Sequence, residues 1–383
     1  MPEQKPSPAM RVSRRHFLHA LAAFGGSAAV PLGFSSVANA FTNIATGKLR
    51  IGIALPTLGG NGVSTASLVN GLQLALAAAP DIRLDIDTKG SDLTRINKLS
   101  QSGADLIIGA VTPRTARSVG EALSGSHSVF LNVEPGAHLQ RARDVHAKVF
   151  HHTLQLWQAH YATGVAAIAR GKRAAVLSSF HEAGYDGTSA FIAGFHSVGG
   201  TVVSQVVNRA PGQQISPFQS VAELRQRHPD FIYINASGAR AVELTHAVGA
   251  DALPAPFAQT SIAESKFARD YQQTAGRAAD AYALLGYESG QLILSAAADR
   301  FADHDRSLRE ALSHVEFASP RGLVRMQPET QTTNATAYVD AGGGILKNLI
   351  AISESEARAH AGWSQAVSGW SLPYGAGLEQ RRA

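Results

Sequence analysis

The chain has 383 residues and a mass of 40.2 kDa, with 45% hydrophobic and 16% charged residues, which is enough for two globular units that each bury a core. Of the formal net charge of +5, residues 1–40 carry +3, so the rest of the chain is almost neutral and lacks the concentrated basic face of a nucleic-acid-binding protein. The absence of cysteine excludes disulfides, thiolate metal sites and cysteine nucleophiles.

Residues 1–40 have the order of features found in an export signal. The pair Arg14-Arg15 is followed by the apolar stretch Ala20–Val30 and by the small-residue sequence Ala38–Ala40. The arginine pair resembles a twin-arginine signal, and an ordinary secretory signal is the alternative. We expect cleavage after Ala40 and a periplasmic protein that is not embedded in the membrane, because no later stretch has the roughly 20 apolar residues of a membrane span.

Short apolar runs then alternate with amphipathic segments. Each run is continuous and rich in Ile, Val and Leu, which is typical of parallel strands covered by helices on both faces. The predicted strands are Leu49–Leu55, Ile82–Asp87, Asp105–Gly109 and Val129–Val133, and the predicted helices are Ala66–Ala79, Asp92–Ser102 and Ala116–Leu123.

A second series of the same kind begins with a predicted helix at Gln155–Ala169. In both series an aspartate, Asp105 or Asp230, opens a buried strand that a turn of small residues connects to the next helix. The predicted strands are Ala174–Ser178, Thr201–Val207 and Asp230–Asn235, and the predicted helices are Thr188–Ser197, Val221–His228 and Ala239–Val248. This repetition predicts an α/β fold of two doubly wound three-layer lobes with a cleft between them.

The remaining segments do not start a third unit. A long helix is predicted at Ala279–Ala298 and a short one at Leu308–His314. Apolar runs at Leu323–Met326, Thr336–Val339 and Leu346–Ala351 predict strands that join the sheets already formed. Residues 353–383 follow no recognisable pattern, and we treat them as a C-terminal extension.

Ligands of open α/β sheets bind beyond the carboxyl ends of the strands, and the turns there contain no catalytic motif. The glycine cluster Gly59–Gly62 lacks the third glycine of a dinucleotide-binding loop, since Thr65 stands at its place. His151, His152 and His160 do not have the spacing of metal ligands. We therefore expect no catalytic residue, no metal and no cofactor.

Arg114 is the most informative side chain in these turns. It follows a buried strand and precedes a helix whose amides are directed at the same place, and such a pair suits a carboxylate or phosphate. A solvent-facing Arg114 is the alternative. Glu134, in the neighbouring turn, has two possible partners, a ligand ammonium group or Arg114 itself.

Most of residues 48–351 resembles a known family. The resemblance depends on the order and spacing of several segments: Leu49–Leu55 with Asn70–Ala75, Gly103–Gly109, Asn132–Ala137, Val149–Thr153 with Gln158, Ala174–Ser179 with Gly184–Gly187, Pro229–Tyr233 and Ser319–Gly322. Together they are similar to the type I periplasmic solute-binding proteins of ABC importers, in particular the leucine-binding branch.

The resemblance implies two lobes joined by three crossovers. The crossovers are expected near Phe150–Thr153, Phe257–Ser261 and Gly322–Gln327. Lobe 1 would then comprise residues 41–152 and 259–324, and lobe 2 residues 153–258 and 325–352.

The resemblance also implies a ligand site between the lobes. Its expected ligand-binding residues are Thr112, Arg114, Thr115, Asn132, Glu134, Gly136, Tyr185, Asp186, Ser237, Gln259 and Thr260. Pro113-Arg114 replaces the serines that are usual in the family, and Glu134 and His138 stand where small residues are common. These departures put a standard leucine pocket in doubt.

The expected function is that of a monomeric substrate-binding protein of an ABC importer. Its solute would be a small polar or anionic molecule, such as an amino acid, an amide or an organic acid, and its partners the inner-membrane permease and the twin-arginine export machinery. The alternative is a ligand-sensing module of the same fold that acts on a membrane signalling partner. An exported enzyme is a third hypothesis, without a nucleophile motif or metal spacing to support it.

Overall fold

The computed structural model describes most of the chain between residues 49 and 352. Within that range the undescribed residues are 56–61, 78, 80, 112, 135–144, 180–186, 209–215, 257–264, 304, 336 and 341–348. The predicted signal peptide and the C-terminal extension also lie outside the described residues.

The first part of the chain alternates strands and helices. Its elements are β1 (Leu49–Ala54), α1 (Gly62–Leu76), β2 (Ile82–Asp87), α2 (Asp92–Gln101), β3 (Leu106–Gly109), α3 (Pro113–Leu123), β4 (Val129–Glu134) and β5 (Val149–Thr153). The elements that follow are α4 (Leu156–Ala166), β6 (Arg173–Ser179), α5 (Gly187–Ser197), β7 (Thr201–Asn208), α6 (Pro217–Arg225), β8 (Phe231–Asn235), α7 (Gly238–Val248) and β9 (Ala252–Pro254).

The last part of the described chain is mixed. Its elements are α8 (Lys266–Ala275), α9 (Ala281–Ala302), α10 (Leu308–Ser313), β10 (Glu316–Ser319), β11 (Gly322–Gln327), β12 (Thr332–Ala335), β13 (Ala337–Asp340) and β14 (Leu349–Ile352). No helix in the described ranges is both long and apolar enough to cross a membrane.

The first lobe is built on an eight-stranded sheet in the order β10-β11-β12-β5-β4-β3-β1-β2. Strands β1 to β5 are parallel, whereas β11 is antiparallel to both of its neighbours. One face, including Ile53 and Leu131, packs on α1 and α9, and the other, including Ile107 and Phe130, packs on α2 and α3. Burial of both faces explains the continuous apolar runs.

Helices α1 and α9 approach each other closely over this sheet. A Cβ at Gly286 would lie 1.9 Å from the Leu68 carbonyl oxygen, and one at Gly71 would lie 2.0 Å from the Ala283 carbonyl oxygen. The two helix backbones are therefore in contact at these glycines, and no side chain fits between them.

The second lobe is built on a parallel sheet in the order β7-β6-β8-β9. Strand β8 is buried along its whole length, and β7 at the sheet edge is partly exposed. Aromatic packing fills the face toward α5, where the rings of Phe191 and Tyr233 stack with centroids 3.8 Å apart. Strands β13 and β14 form a separate hairpin, with β13 lying alongside α4.

Two of the segments near which crossovers were expected are strands of the first sheet. Residues Gly322–Gln327 form β11 in the first sheet, so the chain returns to the second lobe only after Ala335. The expected lobe boundary at residue 324 therefore falls inside this strand. Val324 and Met326 both belong to the core of the first lobe. Residues Val149–Thr153 form β5, and the first connection to the second lobe follows it at residues 154–155.

Candidate functional site

Polar side chains lie at the carboxyl ends of strands in both sheets, where an α/β fold positions ligand-binding groups. In the first lobe Glu134 ends β4 and is 2% exposed, and its register partner on β5 is Thr153. Thr115 lies in the first turn of α3 and is partly exposed. The structure therefore brings Thr115 and Glu134 to the same edge of the first sheet.

The other predicted ligand-binding residues divide into three groups. Arg114 belongs to the first turn of α3, close to Thr115. Asn132 and Ser237 are buried and described below. The predicted residues that lie outside the described ranges are Thr112, Gly136, Tyr185, Asp186, Gln259 and Thr260.

Asn132 holds the connection between β3 and α3. Its Oδ1 accepts a hydrogen bond of 2.8 Å from the Val111 N–H, and its Nδ2 donates one of 3.2 Å to the Val111 carbonyl. On its other side Nδ2 lies 3.4 Å from His151 Nδ1. Because Asn132 is fully buried, these contacts satisfy both the amide and the backbone of the turn that leads to Arg114.

A hydroxyl and amide cluster lies at the carboxyl ends of β6 and β8 in the second lobe. Thr188 Oγ1, in the first turn of α5, is 2.9 Å from Ser178 Oγ and accepts a hydrogen bond of 3.0 Å from Asn235 Nδ2. Ser178 and Asn235 are 3% and 2% exposed. The cluster therefore fixes the start of α5 to both strands, directly after residues 180–186.

Beneath this cluster, His160 and Tyr233 anchor the same helix. His160 Nδ1 hydrogen-bonds to the Tyr233 hydroxyl, and a Cβ at Gly187, the first residue of α5, would lie 2.8 Å from His160 Nε2. Burial lowers the pKa of His160 to about 3 and raises that of Tyr233. Both groups are thus neutral near pH 7 and act as packing and hydrogen-bonding groups.

The two lobes touch where the amino ends of α7 and α9 meet. The Ala281 N–H donates a hydrogen bond of 3.4 Å to Ser237 Oγ, and a Cβ at Gly238 would lie 3.1 Å from the Asp280 Cβ. Asp280 caps α9 and accepts a hydrogen bond of 2.6 Å from Ser67 Oγ. Burial raises the pKa of Asp280, while the hydrogen bonds from Ser67 and Ala283 oppose that shift.

Within the described ranges, no three histidine or acidic side chains are grouped as metal ligands would be. Among the described residues, the polar groups at the strand ends include hydroxyls, amides and the carboxylates of Asp87 and Glu134. Such groups suit the recognition of a small polar molecule through hydrogen bonds.

Comparison with known proteins agrees with this arrangement. A profile of the periplasmic binding protein family matches residues 48–262, which is more than half of the chain. This chain belongs to the periplasmic binding protein family. No protein with a curated description matches it.

Solved structures share the fold of this binding protein. An ABC transporter substrate-binding protein from Sphaerobacter thermophilus has 19% identity and a TM-score of 0.55, with 80% of this chain and 96% of that chain covered. A solute-binding protein from R. palustris in complex with benzoate has 22% identity, a TM-score of 0.54 and the same coverage. One from Rhodopseudomonas palustris BisB5 in complex with 3,4-dihydroxybenzoic acid has 15% identity, a TM-score of 0.55 and the same coverage.

The family resemblance and the α/β fold class predicted from the sequence are confirmed. Sequence reasoning missed Ser178, Thr188 and His160 as groups that hold the strand ends. The polar residues at the ends of apolar strands could have indicated Ser178, but nothing local to His160 indicates its bond to Tyr233.

Proposed function

We propose that this protein is the solute receptor of an ABC importer and that its solute is a small carboxylate, either an aromatic acid or an amino acid. The solute would bind between the carboxyl ends of the two sheets and be presented to the inner-membrane permease. The observation that carries the proposal is the family match over residues 48–262, which include parallel strands of both sheets with polar residues at their carboxyl ends. Benzoate and 3,4-dihydroxybenzoic acid in similarly folded proteins support a carboxylate.

Binding would stabilise the closed arrangement because the solute contacts both lobes only when they meet. In the first lobe the contacts would come from the α3 amino end and Glu134, and in the second from the segment before α5. A receptor of this kind works as a monomer and needs no catalytic group.

Thermal unfolding of residues 41–383 with a library of aromatic acids, amino acids and amides tests the proposal. A solute at 100 times its Kd should add about 2.7 kcal/mol to the free energy of unfolding. Benzoate and benzamide form a matched pair, since they differ in the carboxylate alone. Stabilisation by acids but not by their amides would support the proposal, and no stabilisation by any member of the library would contradict it.

Arg114 is proposed to pair with the solute carboxylate. Arg114→Ala should weaken the affinity for a carboxylate found in the library by about 1.5–3 kcal/mol, which is tenfold or more, and isothermal titration calorimetry measures it. Arg117→Ala, an exposed arginine on the same helix, is the matched control. Equal affinities of the two variants would place Arg114 outside the pocket.

We also propose that the protein reaches the periplasm through the twin-arginine machinery, on the evidence of Arg14 and Arg15. Replacement of both residues by lysine should leave the precursor in the cytoplasm, as cell fractionation would show, whereas Arg11→Lys should not. Normal export of the double variant would favour an ordinary secretory signal.

A further inference from the structure

A buried ionic cluster lies where the first lobe connects to the second. Glu288, on α9, is fully buried, and Arg321 lies in the turn between β10 and β11. The guanidinium holds the carboxylate with two hydrogen bonds, Nε to Oε1 at 2.8 Å and Nη2 to Oε2 at 3.0 Å. Ser319 Oγ also donates to Oε1, and His152 Nε2 is 3.3 Å from Oε2.

The same guanidinium also donates hydrogen bonds to the backbone at the first interlobe connection, residues 153–155. Arg321 Nη2 donates a hydrogen bond of 3.0 Å to the Thr153 carbonyl, and Nη1 donates one of 3.1 Å to the Leu154 carbonyl. These carbonyls belong to the last residue of β5 and to the residue after it. Arg321 therefore links α9 to the place where the chain leaves the first sheet.

A second set of bonds joins this connection to the one that follows β12. The Thr153 N–H donates to Thr333 Oγ1 at 3.1 Å, Gln155 Nε2 donates to Asn334 Oδ1 at 2.9 Å, and the Ala335 N–H donates to Gln155 Oε1 at 2.8 Å. Gln155 has a left-handed backbone, with φ of 54°. The two connections are thus held side by side up to Gln155 and Ala335.

A buried ion pair contributes little net stability, because desolvation of both charges offsets their attraction. Its hydrogen bonds have fixed directions, however, and Arg321 satisfies the carboxylate and two carbonyls at once. A lysine could not make all of these contacts, and an apolar side chain could make none. The cluster therefore fixes the relative positions of Glu288, Arg321 and residues 153–154 and adds little to the free energy of unfolding.

We propose that Arg321 and Glu288 hold residues 153–154, at the start of the first interlobe connection, in a fixed position on the first lobe. We call this pair the lock. With the lock in place, the lobes bend relative to each other only beyond Gln155 and Ala335. This inference rests on the proposed function, in which the lobes close on a solute. Arg321 is then a positioning residue: it limits the range of lobe orientations without touching the solute. Loss of the lock would release the Thr153 and Leu154 carbonyls from α9. The paired connections could then move relative to the first lobe, and the lobes would adopt many orientations.

Distance measurement between the lobes tests the lock. The chain has no cysteine, so exposed Glu121 in the first lobe and exposed Glu223 in the second can each be replaced by cysteine and spin-labelled. Double electron–electron resonance then gives the interlobe distance distribution of residues 41–383 without solute. Arg321→Met is the variant. Arg325→Met is the control, because Arg325 forms an exposed pair with Glu316 in the same hairpin.

We expect a broader distance distribution for Arg321→Met than for the parent, and an unchanged one for Arg325→Met. If Arg321→Met does not fold, Arg321→Lys retains the charge and should broaden the distribution to a lesser degree. A distribution equal to the parent's in the folded Arg321 variants would overturn the lock.

The same labelled proteins separate this inference from the proposed function. A parent distribution that shifts with a carboxylate while the Arg321 variants match the parent would overturn the lock and leave the solute receptor standing. A broadened distribution in the variants, with no solute that shifts the parent, would support the lock and contradict the receptor.

Discussion

Buried polar side chains hold the turns that follow the strands, and Asn132 is the clearest case. Its amide satisfies both backbone groups of Val111, 21 residues earlier in the chain. The turn it holds leads directly to Arg114. A residue predicted to contact the ligand thus has a measurable role in shaping the site.

Asn132→Ala should lower the free energy of unfolding by about 2–4 kcal/mol, because it leaves the Val111 N–H and carbonyl buried without partners. Urea unfolding followed by circular dichroism measures the change. Asn97→Ala, at a partly exposed position on α2, serves as the control and should stay within about 0.5 kcal/mol of the parent. Equal stabilities of the two variants would contradict the role assigned to Asn132.

At the scale of elements, the contact between α1 and α9 sets how the first lobe is assembled. Glycines on both helices let the backbones touch, and the cluster around Glu288 begins on the same α9 helix. The position of α9 therefore affects both the packing of the first lobe's core and the position of Glu288 beside the interlobe connections.

Gly286→Ala should destabilise the protein by about 1–3 kcal/mol, since the new methyl group would overlap the Leu68 carbonyl and push the helices apart. Gly125→Ala is the control, because a Cβ there meets nothing within 4 Å. Thermal unfolding of both variants measures the difference. An unchanged melting temperature for Gly286→Ala would show that the helices are not in backbone contact.

At the scale of the whole molecule, each lobe contains a buried histidine that the fold keeps neutral. Burial lowers the pKa of His152 in the first lobe to about 4 and that of His160 in the second to about 3. Nearby Glu288 opposes the shift at His152, while Arg321 adds to it. The unfolded chain, with a histidine pKa of 6.5, takes up protons that the folded chain does not.

Stability should therefore fall as the pH decreases below about 6.5, with each buried histidine removing about 2 kcal/mol by pH 5. Urea unfolding at pH 7, 6 and 5 measures this slope. His160→Asn should reduce the slope between pH 6 and 5 by about half, whereas exposed His127→Asn should leave it unchanged. A slope that is the same in all three proteins would show that His160 takes up a proton in the folded state.

The sequence alone determined the parts of the fold that depend on local patterns. Continuous apolar runs such as Leu106–Gly109 and Phe231–Asn235 predicted buried parallel strands, and the repetition of strand, turn and helix predicted two α/β lobes. These predictions succeed because a strand buried on both faces needs apolar side chains at consecutive positions, and such a run is visible in the sequence. Much of the predicted ligand site lies outside the described residues and stays a prediction.

Only the tertiary structure decided which sheet each late strand joins and which distant side chains meet. The pattern of Gly322–Gln327 predicts a strand, yet its place between β10 and β12 depends on pairing partners elsewhere in the chain. Likewise, Glu288 and Arg321 are 33 residues apart, and His160 and Tyr233 are 73 apart. Such contacts arise from the packing of whole elements, which no local pattern of hydrophobicity records.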